Sequence, residues 1–398
     1  MARILLHNPH AIWYKRTLTN VYLGRAYWKG KYEYIFDELY EDEVYTVITP
    51  MFSTFNKYGK HAEKIELLKF YVWRRINGLK KKKFFIRDLA DLSKDDKLVV
   101  FLYSYFAGDG ISQEFFDYNF EKFFERCEAK IVLNFSHYGY NFITASRKLQ
   151  EVKDQIHVWS ENDLTVSELW RRRFSYLGKP SLTIPFVAQN RFKNLVSYEN
   201  RRNKCLAIGT IANEINDEAF RELFNDGLLQ PLRDALDRNK DSLPMIDSSI
   251  SRISDEKTST SVKRVLSRFV GLLHLAMKAV LATDRIYWSN YDRGYFDFDM
   301  VRTFNEYKLV VNPEEIIGVP GIGSIEAIAC GCVLIGQPDY YSAYNLEDGV
   351  NFIAYDGTLE DLNTKIEYYL SNTEELEVIQ KNSVKNYNEN LSNISLKT

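Results

Sequence analysis

Residues 318–326 read GVPGIGSIE, glycines and a proline running into small and apolar residues. A loop of this kind that ends at a helix start leaves backbone N–H groups without intrahelical partners. It also faces the positive end of the helix dipole. Such a corner holds phosphate or diphosphate. Gly321 and Gly323, with Ile322 between them, let the backbone come close to a ligand. Ser324 reads as the helix N-cap, and Glu326 falls in the first turn, placed to accept hydrogen bonds from sugar hydroxyls. An ordinary capped α/β turn would read the same way, because one glycine-rich loop is a weak signal. Three further positions carry chemistry. Thr210, after Gly209, can offer a hydroxyl to a phosphate. His137, flanked by Ser136, Tyr138 and Tyr140, can serve as a base or touch a sugar. Asp109 is a second catalytic candidate; His137 and Asp109 read equally well as plain loop residues.

The elements that must position these residues alternate along the chain. Apolar and β-branched runs at 3–6, 44–48, 97–103 (KLVVFLY) and 130–134 (KIVLN) read as strands; the last two run into the loops carrying Asp109 and His137. Further on, 156–159 is a strand, 163–174 a helix and 181–185 a strand. The second half reads strand 204–211, helix 221–239, strand 244–250 and helix 262–281. Helix 299–307 and strand 307–312 then lead into the glycine-rich loop. Beyond the loop come helix 324–330, closed by Gly331, strands 332–335 and 350–355, and helices 358–370 and 373–390. Alternating strands and helices predict an α/β protein of two Rossmann-like domains. The polar, basic stretch 188–203 is the expected connection. The domains would be 1–190 and 204–375, with 376–398 a helix packing back toward the N-terminal one.

A chain of 398 residues has room for two such domains. Its net charge of −2 argues against a nucleic-acid binder that works through overall positive charge. The cysteines, Cys127, Cys205, Cys330 and Cys332, lack the spacing of a disulfide framework or zinc site, which points to a reducing, cytoplasmic compartment. The apolar run before His7 is too short for a signal peptide. No segment reaches the roughly 20 apolar residues that span a bilayer.

The stretch GIGSIEAIACGCVLIG resembles the donor-site segment of GT-B glycosyltransferases, in particular the family 4-like C-terminal domain. There a glycine-rich loop runs into a helix reading Glu-Ala-(Met/Ile/Leu)-Ala-Cys-Gly. The match is close over about thirty residues and looser over the general layout. It implies GT-B architecture, two Rossmann-like domains facing across a cleft, and a nucleoside-diphosphate-sugar as donor. By the same resemblance Glu326 holds the ribose and the loop amides face the diphosphate. Two departures stand out. The family's other glutamate, eight positions earlier, falls on Gly318, so Glu314 or Glu315 would have to substitute. A Gly-Arg pattern with a nearby Lys is replaced by Gly209-Thr210-Ile211-Ala212, leaving Arg252, Lys257, Arg285 or Arg293 to neutralise the phosphates.

The resemblance implies a glycosyltransferase acting on a glycan or lipid-linked acceptor in bacterial surface polysaccharide synthesis. It would retain anomeric configuration and need neither a catalytic metal nor a cofactor. A nucleotide-sugar epimerase of the same fold and a non-catalytic glycan-binding subunit are the competing readings. Residues 69–87 interleave Lys69, Arg74, Arg75 and Lys80–Lys83 with aromatic residues on an amphipathic segment, the composition of a helix that meets anionic lipid. Peripheral contact with the inner face of the cell membrane follows as an expectation. Neutralising Lys80–Lys83 to Gln should then weaken co-sedimentation with anionic vesicles; unchanged binding would remove the membrane reading.

Overall fold

The computed structural model describes residues 4–7, 44–47, 85–86, 94, 97–101, 131–134, 146, 149–151, 153–188, 192–211, 225–227, 230–252, 300–315 and 318–392. The fold is α/β with parallel sheets of Rossmann-like order. The chain divides into two compact units: Met1–Asn134, Glu151–His157 and Asp255–Phe298 form one, and Phe135–Gln150, Val158–Ser254 and Asp299–Thr398 the other.

In the first unit the strands are β1 (Ile4–His7), β2 (Val44–Val47), β3 (Phe85–Ile86), β4 (Lys97–Phe101) and β5 (Ile131–Asn134). Their order is β3-β2-β1-β4-β5 and every pairing is parallel. The runs ILLH, VYTV, KLVVF and IVLN suit this because a parallel strand is covered on both faces and cannot alternate with polar residues. Strands expected at 3–6, 44–48, 97–103 and 130–134 thus lie within two or three residues of their predicted bounds. His137, Asp109 and most of the basic segment 69–87 lie outside the described residues.

After Phe135–Gln150 the second unit resumes within β6 (Ile156–Ser160) and continues through the short helix α1 (Glu168–Arg173) to β7 (Leu182–Thr183). Its main sheet is built from β8 (Arg202–Ala207), β10 (Ile246–Ser248), β12 (Tyr307–Val311), β13 (Val333–Gly336) and β14 (Ile353–Ala354). A separate ribbon pairs β9 (Thr210–Ile211) with β11 (Ser251–Arg252). Helices α2 (Pro231–Arg238), α3 (Met300–Glu306), α4 (Gly323–Ala329), α5 (Leu359–Ser371) and α6 (Thr373–Asn386) complete it, with one π turn at Tyr387–Leu391. The sheet order is β10-β8-β12-β13-β14, all parallel. Leu309, Val311, Val333 and Ile335 share a core with Leu236, Ile366, Leu376 and Ile379, so α2, α5 and α6 bury their apolar stripes in this unit. Two expectations needed correcting. The helix read over 221–239 is interrupted: Asn225 is helical, Asp226 and Gly227 turn, and α2 starts at Pro231 after Gln230 in a left-handed conformation. A proline lacks the N–H that a continuing helix needs, so it opens a helix instead. The strand read over 350–355 shrinks to Ile353–Ala354 because a turn, Gly349 N–H to Phe352 O at 2.9 Å, occupies its start.

The segment 192–201, inside the stretch read as an interdomain connection, is stapled into this unit. Asn305 accepts from the amides of Leu195 (2.7 Å) and Val196 (3.2 Å) and donates to Lys193 O (2.9 Å). Arg201, 5% exposed, donates from Nη2 to Cys330 O (2.6 Å), Asn194 Oδ1 (2.8 Å) and Val196 O (3.0 Å). Its Nη1 reaches Phe304 O and Tyr307 O, both at 3.3 Å. The guanidinium thereby closes the C-terminal ends of α3 and α4, where helix dipoles favour a cation. Gly331 ends α4 at φ +86°, its amide reaching Ile328 O (2.8 Å) and the next amide Ala327 O (3.0 Å). Cys330 and Cys332 are buried free thiols, as their small size suggests. Burial pushes the Cys332 thiol up to about 12 despite the nearby Arg201. Replacing Arg201 by Met would strip a donor from several buried carbonyls, and we expect a loss of about 3 kcal/mol or more in urea denaturation. A loss under about 1 kcal/mol would show that the staple is not what holds this segment.

Candidate functional site

In the second unit's sheet, β10 lies on one side of β8 and the later strands β12, β13 and β14 lie on the other. This is the 2-1-3-4-5 order of a doubly wound sheet. β8 thus has β10 on one side and β12 leads on to β13 on the other, and the carboxyl ends at such a switch point are where doubly wound sheets bind ligands. The two loops at that switch point are Ile208–Gly209 after β8 and residues 312–322 after β12.

The second loop is closed on itself. Asn312, the first residue past β12, donates from Nδ2 to Gly321 O and to Ser324 Oγ, both at 2.8 Å. Ser324 Oγ in turn meets the Tyr341 hydroxyl at 3.0 Å, so three buried polar side chains fix the helix entry. Between them Glu314 and Pro320 form an antiparallel bridge, and a turn closes with Gly318 N–H to Glu315 O at 2.8 Å. Asn162 Nδ2 braces the loop from outside, donating to Pro320 O at 2.7 Å. Gly318 sits at φ +81°, and a Cβ there would stand 2.8 Å from Ser167 Oγ. A glutamate at this position would be strained on both counts, which accounts for the departure at 318.

The adjacent glutamates are divided by this geometry. Glu314, buried, accepts the Leu232 amide on Oε1 at 2.8 Å and so caps α2. Burial holds its carboxyl above the usual range against the pull of Arg233 and of backbone amides. Glu315 instead places its carboxylate against Gly321, where any Cβ would collide with it. Gly321 therefore makes room for Glu315, and Gly323 for Asn312 and Ile208, rather than for open solvent.

Ser324 is also corrected. α4 begins at Gly323 with Ile322 in the N-cap position, and no side chain caps it. Ser324 lies one residue too late and spends its hydroxyl on Asn312 and Tyr341. The amides of Ser324, Ile325 and Glu326 turn back to Gly321 O and Ile322 O at 3.1–3.4 Å. The amides of Gly321, Ile322 and Gly323 precede the first intrahelical bonds of α4, with the Glu315 carboxylate beside Gly321. Glu326 is 9% exposed. Tyr387 is pushed up to about 12 by burial, with Cys330 and Glu326 adding to it.

Gly209 follows β8, and Thr210 enters β9, paired with Ser251. The side chain of Thr210 lies outside the described residues, as do that of Arg252 and all of Lys257, Arg285 and Arg293. The basic residue at this loop is one that sequence reasoning missed: Arg233 of α2, 5% exposed, packs its guanidinium on Gly209. Pro231 marks the helix start in the sequence, but nothing local shows which way Arg233 turns. Among the described residues no group of three His, Cys, Asp or Glu side chains could hold a metal ion. Nor is any helix there long and apolar enough to cross a membrane.

Residues 272–390, under a third of the chain, match the family described as glycosyl transferase-like. The match contains the whole loop from Asn312 to Gly323. Among solved structures, the chain resembles HepE of Anabaena at 12% identity, covering 98% of this chain and 95% of that one, with a TM-score of 0.44. A glycosyltransferase of Rickettsia africae gives 12%, 98%, 94% and 0.41. TarM of S. aureus gives 14% identity and a TM-score of 0.40 over 75% of this chain and 53% of that one. The chain thus spans about half the length of TarM. Such identities and scores are too low to bear on function.

The bracing of the loop can be tested apart from any ligand. Tyr341→Phe should cost about 1 kcal/mol of unfolding free energy, and Asn312→Ala about 2 kcal/mol, because the latter deprives both Gly321 O and Ser324 of a donor. Denaturant titration reads both, and equal small effects would show that Asn312 is not the closing residue.

Proposed function

We propose that this protein is a glycosyltransferase that moves a sugar from a nucleoside-diphosphate-sugar to a glycan or lipid-linked acceptor. The observation that carries the reading is that the stretch matching the glycosyl transferase-like family holds the switch-point loop and the helix start it runs into. As the glycosidic bond breaks, charge gathers on the leaving diphosphate. Fixed N–H groups at Gly321, Ile322 and Gly323 stabilise it there without reorganising. Glu326 then takes the ribose hydroxyls. Glu315, whose carboxylate lies beside Gly321, takes the part of the glutamate that a left-handed backbone bars from 318.

The finer parts of the reading belong to the same proposal. They are the GT-B arrangement of two Rossmann-like domains facing across a cleft, with domains at 1–190 and 204–375 and a closing helix at 376–398. His137 and Asp109 act on the acceptor and sugar side, Thr210 supports the phosphates, and the reaction retains configuration without a metal. Its setting is bacterial surface polysaccharide synthesis at the cytoplasmic face of the membrane.

A panel of nucleoside diphosphates and their sugars, screened by thermal unfolding, tests the reading. A true donor at a hundred times its Kd should add about 2.7 kcal/mol of stability. Glu326→Ala should abolish most of that gain, read against the variant's own unliganded melting temperature. If no nucleoside diphosphate or sugar stabilises the protein, the proposal fails.

A further inference from the structure

Arg233 occupies the switch point from a direction that the order of the chain conceals. Its guanidinium lies so close to Gly209 that a Cβ built there would stand 2.5 Å from Nε and 2.7 Å from Cζ. Its Nη2 donates to Pro313 O at 2.8 Å. One side chain thus touches both the loop after β8 and the loop after β12. The helix that carries it is pinned in place, because Glu314 accepts the amide of the preceding Leu232 at 2.8 Å. A guanidinium presents five N–H donors in a planar fork and keeps its charge throughout the working pH range. Paired phosphate oxygens are what such a fork fits best.

We propose that Arg233 is a phosphate-binding residue of the nucleoside diphosphate site, supplying the positive charge that the sequence Gly209-Thr210-Ile211-Ala212 lacks. Position 209 is glycine because the guanidinium fills the space of a side chain. The inference rests on the proposed donor site, yet it can fail alone. A purely structural Arg233 would tie α2 to Pro313 and face the buried carboxyl of Glu314. Its loss would then lower stability and weaken every ligand alike.

Calorimetric titration of the full chain with UDP, GDP and ADP, and with the three matching nucleosides, separates these roles. The wild-type protein should bind one diphosphate more tightly than its nucleoside. Arg233→Met should weaken that diphosphate roughly tenfold or more and leave the nucleoside within about twofold, with Arg233→Lys between. Gly209→Ala, which pushes the guanidinium aside with its charge intact, should give the same selective loss, and it decides the matter if Arg233→Met does not fold. Equal losses for diphosphate and nucleoside, or no loss in either variant, overturn the role of Arg233 while the donor site stands. A wild-type protein that binds none of the three diphosphates overturns both.

Discussion

The structure around the candidate site depends on the parallel pairing of β8 with β12, in which Leu309, Val310 and Val311 lie beside Cys205, Leu206 and Ala207. The two strands end at the same edge, the switch point of the sheet. The loops proposed for the donor lie at that edge: Gly209 follows one strand, and Asn312 through Gly323 follows the other. The pairing is secured by burial, since β12 is inaccessible along its whole length and the flanking β13 is equally covered.

A corner proposed to bind phosphate must be rigid, and the polar side chains divide that work. Asn312, Ser324 and Tyr341 lock the loop to the helix entry, Asn162 holds Pro320, and Arg201 with Gly331 fixes the far end of α4. Each of these side chains is buried and bonded to backbone or to another side chain, which suits a preorganised site. None of these bonds uses the amides at 321–323.

Much of this was legible in the sequence where the signal is local. The run 307–312, the glycines, and Gly331 after a short helix predicted β12, loop, α4 and β13 almost to the residue. Failures arose where the deciding contact is distant or where neighbours compete. Glu314 and Glu315 are indistinguishable in one dimension, but extended backbone sends adjacent side chains to opposite sides, and only one reaches Gly321. Ser324 looks like a cap, yet Asn312 and Tyr341 claim its hydroxyl while Gly323 starts the helix. Arg233 was invisible because its position depends on Glu314 and Pro313, some eighty residues away in sequence.

The central claim is that a diphosphate is held by backbone amides at the switch point between β8 and β12. A crystal structure with a bound nucleoside diphosphate tests it most directly. Phosphate oxygens about 3 Å from the amide nitrogens of Gly321, Ile322 or Gly323 are the predicted result. A nucleotide bound elsewhere, with those amides turned to protein acceptors, would contradict it.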